Sequence, residues 1–261
     1  MSDNNDEILQ VRYEDDIAIM TMNNPKRLNA FNLKMRHTMY ARLVEISEND
    51  ACRAIVLTGA GGNLCAGGDI SEMKQRKVIE GRMRMDIATR VFKLFVTGPK
   101  PLIVAVEGNC MGAGVSFVAM SDYAVASREA KFGCAFIKVG LMPDVGAIWS
   151  LPRKIGYRKA MELCALGDQF DANEALRIDL VNKLCEPGKA LEEAIEVAKR
   201  FAKMPPIALA LLKSAMSVGN ETLDGAVNTE INFQSVLQNS DDFGEAAKAF
   251  MEKRKPVFTG N

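Results

Sequence analysis

Two periodicities organise the apolar residues of this chain. Over residues 16–22 (DIAIMTM), Ile17 and Ile19 alternate with other positions and Met20 extends the run, which predicts a strand stopped by Asn23-Asn24-Pro25. Over residues 32–47, Met35, Met39, Leu43 and Ile46 step by four, four and three, one apolar stripe along a helix that Asn32 is placed to cap. His37 falls off that stripe and reads as a surface residue. Residues 53–58 (RAIVLT) and 101–107 (PLIVAVE) are apolar runs of the kind found in buried strands, and each leads into a glycine-rich turn, 59–68 and 108–114. Helices are predicted over 82–96 and 115–120, and short strands over 122–127 and 131–133. A further turn, Gly140-Leu-Met-Pro-Asp144, leads into a short helix.

Beyond Tyr157 the pattern is mainly helical, with one strand near 180–184. After Pro205-Pro206 it is wholly helical, over 207–218, 221–238 and 241–253. Phe243, Ala246, Ala247, Phe250 and Met251 share a face of the last helix, so periodicity alone assigns Phe250 to a core. The recurring unit of strand, glycine turn and helix predicts an α/β fold over residues 1–204, and a helical packing or assembly region over 205–261.

Composition narrows the chemistry. The 261 residues, 48% apolar and 25% charged, can support a large core. Lys plus Arg and Asp plus Glu both number 33, so the net charge is zero and no nucleic-acid partner is expected. The longest aliphatic run, 102–106, is far short of the roughly 20 residues of a membrane span. The sequences MSDNNDEI and FTGN at the ends carry no targeting signal, so a cytoplasmic protein without a membrane partner is expected. A single histidine leaves too little for a Ser-His-Asp triad or a multi-histidine metal site. Six cysteines, no two closer than thirteen residues, contain no CxxC motif and read as reduced, buried thiols; no metal is expected. Carboxylate, hydroxyl, thiol and backbone chemistry remain.

A glycine turn between a buried strand and a helix is a common phosphate site, but neither turn satisfies G-x-G-x-x-G and no Walker sequence exists. Taken singly, such glycines only make tight turns. Two of them in one chain can aim backbone N–H groups at one point and build an oxyanion hole without any side chain.

Four segments, in order and spanning nearly the whole chain, carry a family resemblance. Asn24-Pro25-Lys26-Arg27-Leu28-Asn29-Ala30-Phe31, Cys65-Ala66-Gly67-Gly68-Asp69-Ile70, Gly108-Asn-Cys-Met-Gly112-Ala113-Gly114 and Phe250-Met-Glu-Lys253-Arg254-Lys255-Pro256-Val-Phe258 resemble motifs of the enoyl-CoA hydratase/isomerase (crotonase) superfamily. The resemblance implies a spiral of ββα units with a C-terminal helical trimerisation region, hence a homotrimer or hexamer. It implies an acyl-CoA thioester as ligand, coenzyme A arriving with the substrate and no cofactor bound. It assigns the oxyanion donors to the N–H groups of Gly68 and Ala113, and substrate contacts to Ala66, Asp69 and Ile70. Lys26, Leu28 and Ala30 would follow the nucleotide end of CoA. Phe250 and Lys253 would reach adenine and phosphate, in this family often from a neighbouring subunit. By residue chemistry alone, Lys26 is an exposed turn lysine.

The acid–base positions distinguish branches of this family. Hydratases carry a glutamate two places after the last glycine of the second turn and another four places after the Phe-Gly pair; here those places are Ser116 and Phe136. Adding water uses one group to activate it and another to deliver a proton, which serine and phenylalanine cannot do. Asp144 remains. It fits a helix N-cap, and in the resemblance an acid at this place is the lone base of Δ3,Δ2-enoyl-CoA isomerases. Ser116, Cys134, Phe136 and Trp149 are candidates to line the acyl pocket, Phe136 and Trp149 supplying apolar walls that would raise the pKa of Asp144. The expected reaction is a double-bond shift through a thioester enolate. The alternatives are a hydratase with an atypical site and a catalytically reduced acyl-CoA-binding protein.

Overall fold

In a computed structural model that describes residues 7–218 and 222–261, β1 (Leu9–Glu14) and β2 (Ile17–Met22) form a hairpin that feeds α1 (Leu33–Glu48). Asn32 caps this helix, its side chain accepting the Met35 N–H at 2.9 Å, and the expected stripe of Met35, Met39, Leu43 and Ile46 is buried. There follow β3 (Ala54–Gly59), α2 (Val78–Thr97), β4 (Leu102–Val106), β5 (Asn109–Met111) and α3 (Ala113–Met120). Next come β6 (Tyr123–Ser127), β7 (Lys131–Gly133), α4 (Ala147–Ile155) and α5 (Tyr157–Leu166). β8 (Gln169–Asp171), α6 (Ala172–Arg177), β9 (Lys183–Cys185) and α7 (Ala190–Ala202) complete the α/β part, and α8 (Pro206–Val218), α9 (Leu223–Leu237) and α10 (Asp241–Met251) end the chain.

The main sheet has the order β1-β2-β3-β4-β6-β9, parallel except for the β1–β2 pair. Its alternate residues face two different cores. Ile17, Ile19, Val56, Ile103 and Val125 pack against Ala194, Val197 and Ala198 of α7. Ala18, Met20, Leu57, Val104 and Ala126 face the larger core built with α1, α2 and α3. Burial on both faces explains the continuous apolar runs of the central strands. A second sheet, β5-β7-β8, stands beside the first, and a bridge from Cys65 to Cys110 ties the first glycine turn to it.

The structure departs from the sequence reading in several places. β1 and β8 were not expected, and β5 lies inside what reads as a turn. α2 starts four residues before the expected Arg82. The strand expected near 180–184 is shifted to Lys183–Cys185, because the apolar pair Leu180-Val181 instead closes α6, both N–H groups donating to the Ala175 carbonyl. Glu221, the expected start of the penultimate helix, and residues 1–6 of the terminal segment lie outside the described residues. Of the six free cysteines, Cys164 is only half-buried. Among the described residues no helix is long and apolar enough to cross a membrane.

Candidate active site

The two glycine turns meet backbone to backbone. Gly67 has φ +95° and Gly112 φ +52°. A Cβ on Gly112 would lie 3.2 Å from Gly67 Cα, and one on Gly67 would lie 3.3 Å from the Met111 carbonyl. Only glycines allow both the conformation and the approach. The first turn is fixed from outside by Asn29, which is fully buried. Its amide donates to the carbonyls of Ala60 (2.8 Å) and Asn63 (2.7 Å), while its oxygen accepts the Asn24 N–H at 2.9 Å. Ala66 N–H donates to Leu28, and Phe31 N–H to Gly67. The segment 24–31 is thus a clamp on the turn.

Beside this contact opens a cavity of about 450 Å³ lined by Gly68, Ala113, Phe136, Asp144 and Arg36. Ala113 is the first residue of α3, whose N-terminus has no side-chain cap. Its N–H, like that of Gly68, has no acceptor among the described residues. Two uncommitted N–H groups from adjoining turns, one at a helix N-terminus, are chemically able to receive a negatively charged oxygen.

Asp144 occupies the loop before α4. The α4 cap is Gly146, with no side-chain cap bond, so the N-cap expectation for Asp144 is corrected. Its backbone carbonyl is the anchored part: it accepts the Ser116 hydroxyl at 3.1 Å and the Ala147 N–H at 3.0 Å. Val145 next to it sits at φ +49°, a conformation costing a β-branched residue about 1–3 kcal/mol. The half-buried carboxylate itself faces the cavity. Burial pushes its pKa up, and the charge of Arg36 pulls it partly back.

The other cavity carboxylates are committed. Asp69 caps the turn after it through Ser71 N–H (2.9 Å) and Ser71 Oγ (2.6 Å), which holds its pKa below the usual range. Glu72 pairs with Arg84 and accepts the Leu33 N–H at 3.3 Å.

Of the residues singled out in the sequence, the structure brings Ala66, Gly68, Asp69, Ile70, Ala113, Phe136 and Asp144 to this cavity. Ser116 lies behind it, fully buried, as the tether of Asp144. Cys134 is buried beside Cys164 and does not line it. Trp149 lines a different cavity, against Phe92 and under the guanidinium of Arg153. Lys26 and Leu28 are exposed and Ala30 is buried; none of the three lines the cavity. Phe250 and Lys253 are exposed at the end of α10, away from it within this chain. At 83% exposure, Phe250 overturns the core assignment made from periodicity: α10 buries Asp242 and Ala249 instead. His37 is exposed, as expected. Arg36 and the Glu72–Arg84 pair were missed, since one arginine on a polar helix face carries no sequence signal that separates it from a solvated one.

Comparison with known proteins identifies the family. A family model described as enoyl-CoA hydratase/isomerase matches residues 12–261. The 1,2-epoxyphenylacetyl-CoA isomerase of Escherichia coli (strain K12) is 34% identical, the match covering 97% of this chain and 99% of that protein. The short-chain-enoyl-CoA hydratase of Clostridium acetobutylicum is 36% identical over 93% of this chain and 94% of its own. The crystal structure of an enoyl-CoA hydratase from Bacillus anthracis superposes with a TM-score of 0.92 at 28% identity, covering 98% of this chain and 100% of the other. With the fold, the paired turns and the full-length match in agreement, the chain belongs to the enoyl-CoA hydratase/isomerase family.

Proposed function

We propose that this enzyme is an enoyl-CoA isomerase that shifts a double bond from C3 to C2 of an acyl-CoA. The thioester oxygen would sit between the N–H groups of Gly68 and Ala113. Asp144 takes a proton from C2, the enolate is held by the two donors, and the same carboxyl returns the proton at C4. Atoms balance with no water and no redox partner. Coenzyme A enters and leaves with the substrate, and the reaction needs no bound cofactor.

One observation carries this reading. Asp144 is the cavity carboxylate that, among the described residues, has neither an ion-pair contact nor a cap to make, and Ser116 and Phe136 stand where a water-adding mechanism needs acids. A raised pKa suits a carboxylate that must accept a carbon-bound proton. The isomerase-named relative in Escherichia coli supports it, while the hydratase-named relative in Clostridium acetobutylicum is the reason to test water addition.

The test uses purified protein with 3-hexenoyl-CoA and, separately, crotonyl-CoA, products being read by chromatography and mass. The expected product is a 2-enoyl thioester of unchanged mass, lost in Asp144→Asn. Gain of one water on crotonyl-CoA would make the enzyme a hydratase with an atypical site; binding without turnover would make it an acyl-CoA-binding protein.

We also propose a homotrimer or hexamer. α9 has no buried residue and exposes Leu223, Val227 and Ile231, spaced by four along one apolar face that needs a partner. Light scattering after size exclusion is expected to give three or six chains; a monomer would refute it. Six free thiols fit a reducing compartment, and we place the protein in the cytoplasm.

A further inference from the structure

One cavity group has no part in that scheme. Arg36 follows the buried Met35 on α1 and lines the cavity that holds Asp144. It is rigidly held: Nε donates to the Phe31 carbonyl (3.2 Å), Nη1 to the Arg84 carbonyl (3.3 Å), and its guanidinium lies 5.1 Å from the Phe31 ring centroid. None of these partners is a counter-charge, and no carboxylate is in ion-pair contact with Arg36 among the described residues. A half-buried guanidinium without a paired anion is costly to keep.

The surrounding charges account for each other. From the segment between β3 and α2, Asp69 is bonded to Ser71, Glu72 is paired with Arg84 of α2, and Lys74 is exposed. Arg76 lies 3.3 Å from Glu80. Burial pushes the Cys65 thiol up to about 12, so it stays neutral. On the side of Phe136, Lys138 pairs with Asp168, and on α4 Arg153 stacks on Trp149. α3 contributes no charged side chain. The charge left facing Asp144 is that of Arg36.

We propose that Arg36 is a positioning residue for Asp144: a fixed positive charge on the cavity wall that keeps the carboxylate ionised, and so able to accept a proton, when the acyl group displaces water. The proposal rests on the reading of Asp144 as the base. Substrate binding strips water from the carboxylate, which favours its protonated form, and the same loss of water strengthens the attraction to Arg36. Arg36 is thus a counterweight that grows as the site closes.

The first readout is the pair of pH profiles of kcat/KM and kcat with 3-hexenoyl-CoA, which report the free enzyme and the substrate complex. Arg36→Gln, which keeps a donor without the charge, and Arg36→Met are expected to move the acid limb up by about one pH unit, a tenfold loss on the limb that disappears on the alkaline plateau. Arg36→Lys is expected to restore most of the shift. The second readout needs no substrate: an infrared titration of the Asp144 carboxyl band, assigned by its absence in Asp144→Asn, is expected to move the same way in Arg36→Gln. A carboxyl band that titrates identically in wild type and Arg36→Gln would overturn the proposal. So would a lowered plateau or a raised KM with the limb unmoved, which would mean that Arg36 only supports the fold or binds substrate. If Asp144→Asn keeps full turnover, the base reading fails, and the infrared titration still decides what Arg36 does to the carboxylate.

Discussion

Two cavities in this molecule each hold a carboxylate and a cation, and they use them in opposite ways. In the cavity beneath α8, the buried Lys213 and the half-buried Asp122 form an ion pair. Asp122 also accepts the Leu102 N–H at 2.7 Å, and Lys213 also donates to the Lys100 carbonyl at 3.1 Å. Every strong partner there is inside the protein, and the pair fastens α8 to the sheet. In the cavity between the glycine turns, Asp144 and Arg36 influence each other without touching, beside two N–H groups that have no acceptor among the described residues. A satisfied pair is mortar. An unsatisfied set around an open cavity of about 450 Å³ can be completed by the atoms of a ligand.

Substitutions that treat the two pairs alike should separate them. Asp144→Asn is expected to cut turnover about a thousandfold, as measured with 3-hexenoyl-CoA, while circular dichroism stays native because Asp144 is anchored through its backbone. Lys213→Met is expected to leave turnover of the folded enzyme nearly unchanged and to cost about 1–3 kcal/mol of stability in urea unfolding, since it leaves a half-buried carboxylate without its cation. Ser116→Ala removes one hydrogen bond worth about 1 kcal/mol, so kcat is expected to fall about fivefold at constant KM as the loop bearing Asp144 loosens.

The smallest effect is the most diagnostic. The Asp144 carboxyl is raised in the folded protein, so the folded state holds that proton more tightly than the unfolded one. The stability cost of its charge is absent below the ordinary carboxylate value, grows between that value and the raised folded one, and is complete above it. Asp144→Asn is therefore expected to raise Tm at neutral pH and to give no gain in acid. For Asp122, tied to a lysine, the corresponding substitution should lower Tm.

Much of this was legible beforehand. The strand-turn-helix units and the capped stripe of α1 are readable because each depends on local spacing, whereas Gly68, Ala113 and Asp144 are picked out only by the resemblance to a family. β1 was also readable, since Leu9, Val11 and Tyr13 alternate cleanly with polar residues, and it was overlooked. Other features had no local signal. Ser116 looked like a pocket residue, but its hydroxyl points to a carbonyl 28 positions away. Trp149 sits five places from Asp144, yet the helix that begins between them turns it into the other cavity. Phe250 obeyed a helical stripe whose exposed side periodicity cannot choose within one chain. Arg36 acquires meaning only when tertiary packing aims it at a carboxylate on another segment.

α3 joins these observations in a way that bears on selectivity. One fully buried, eight-residue helix carries the Ala113 N–H at its first position and, three residues and about 4.5 Å further on, the hydroxyl that pins Asp144. In the proposed reaction it acts as a gauge block: the span from thioester oxygen to proton carrier is machined into a rigid part. The cavity is also lined by Met73 and Met85, pliable side chains on the segment before α2 and on α2 itself. Such a tool is strict about where along the acyl chain the double bond lies and forgiving about how far the chain continues.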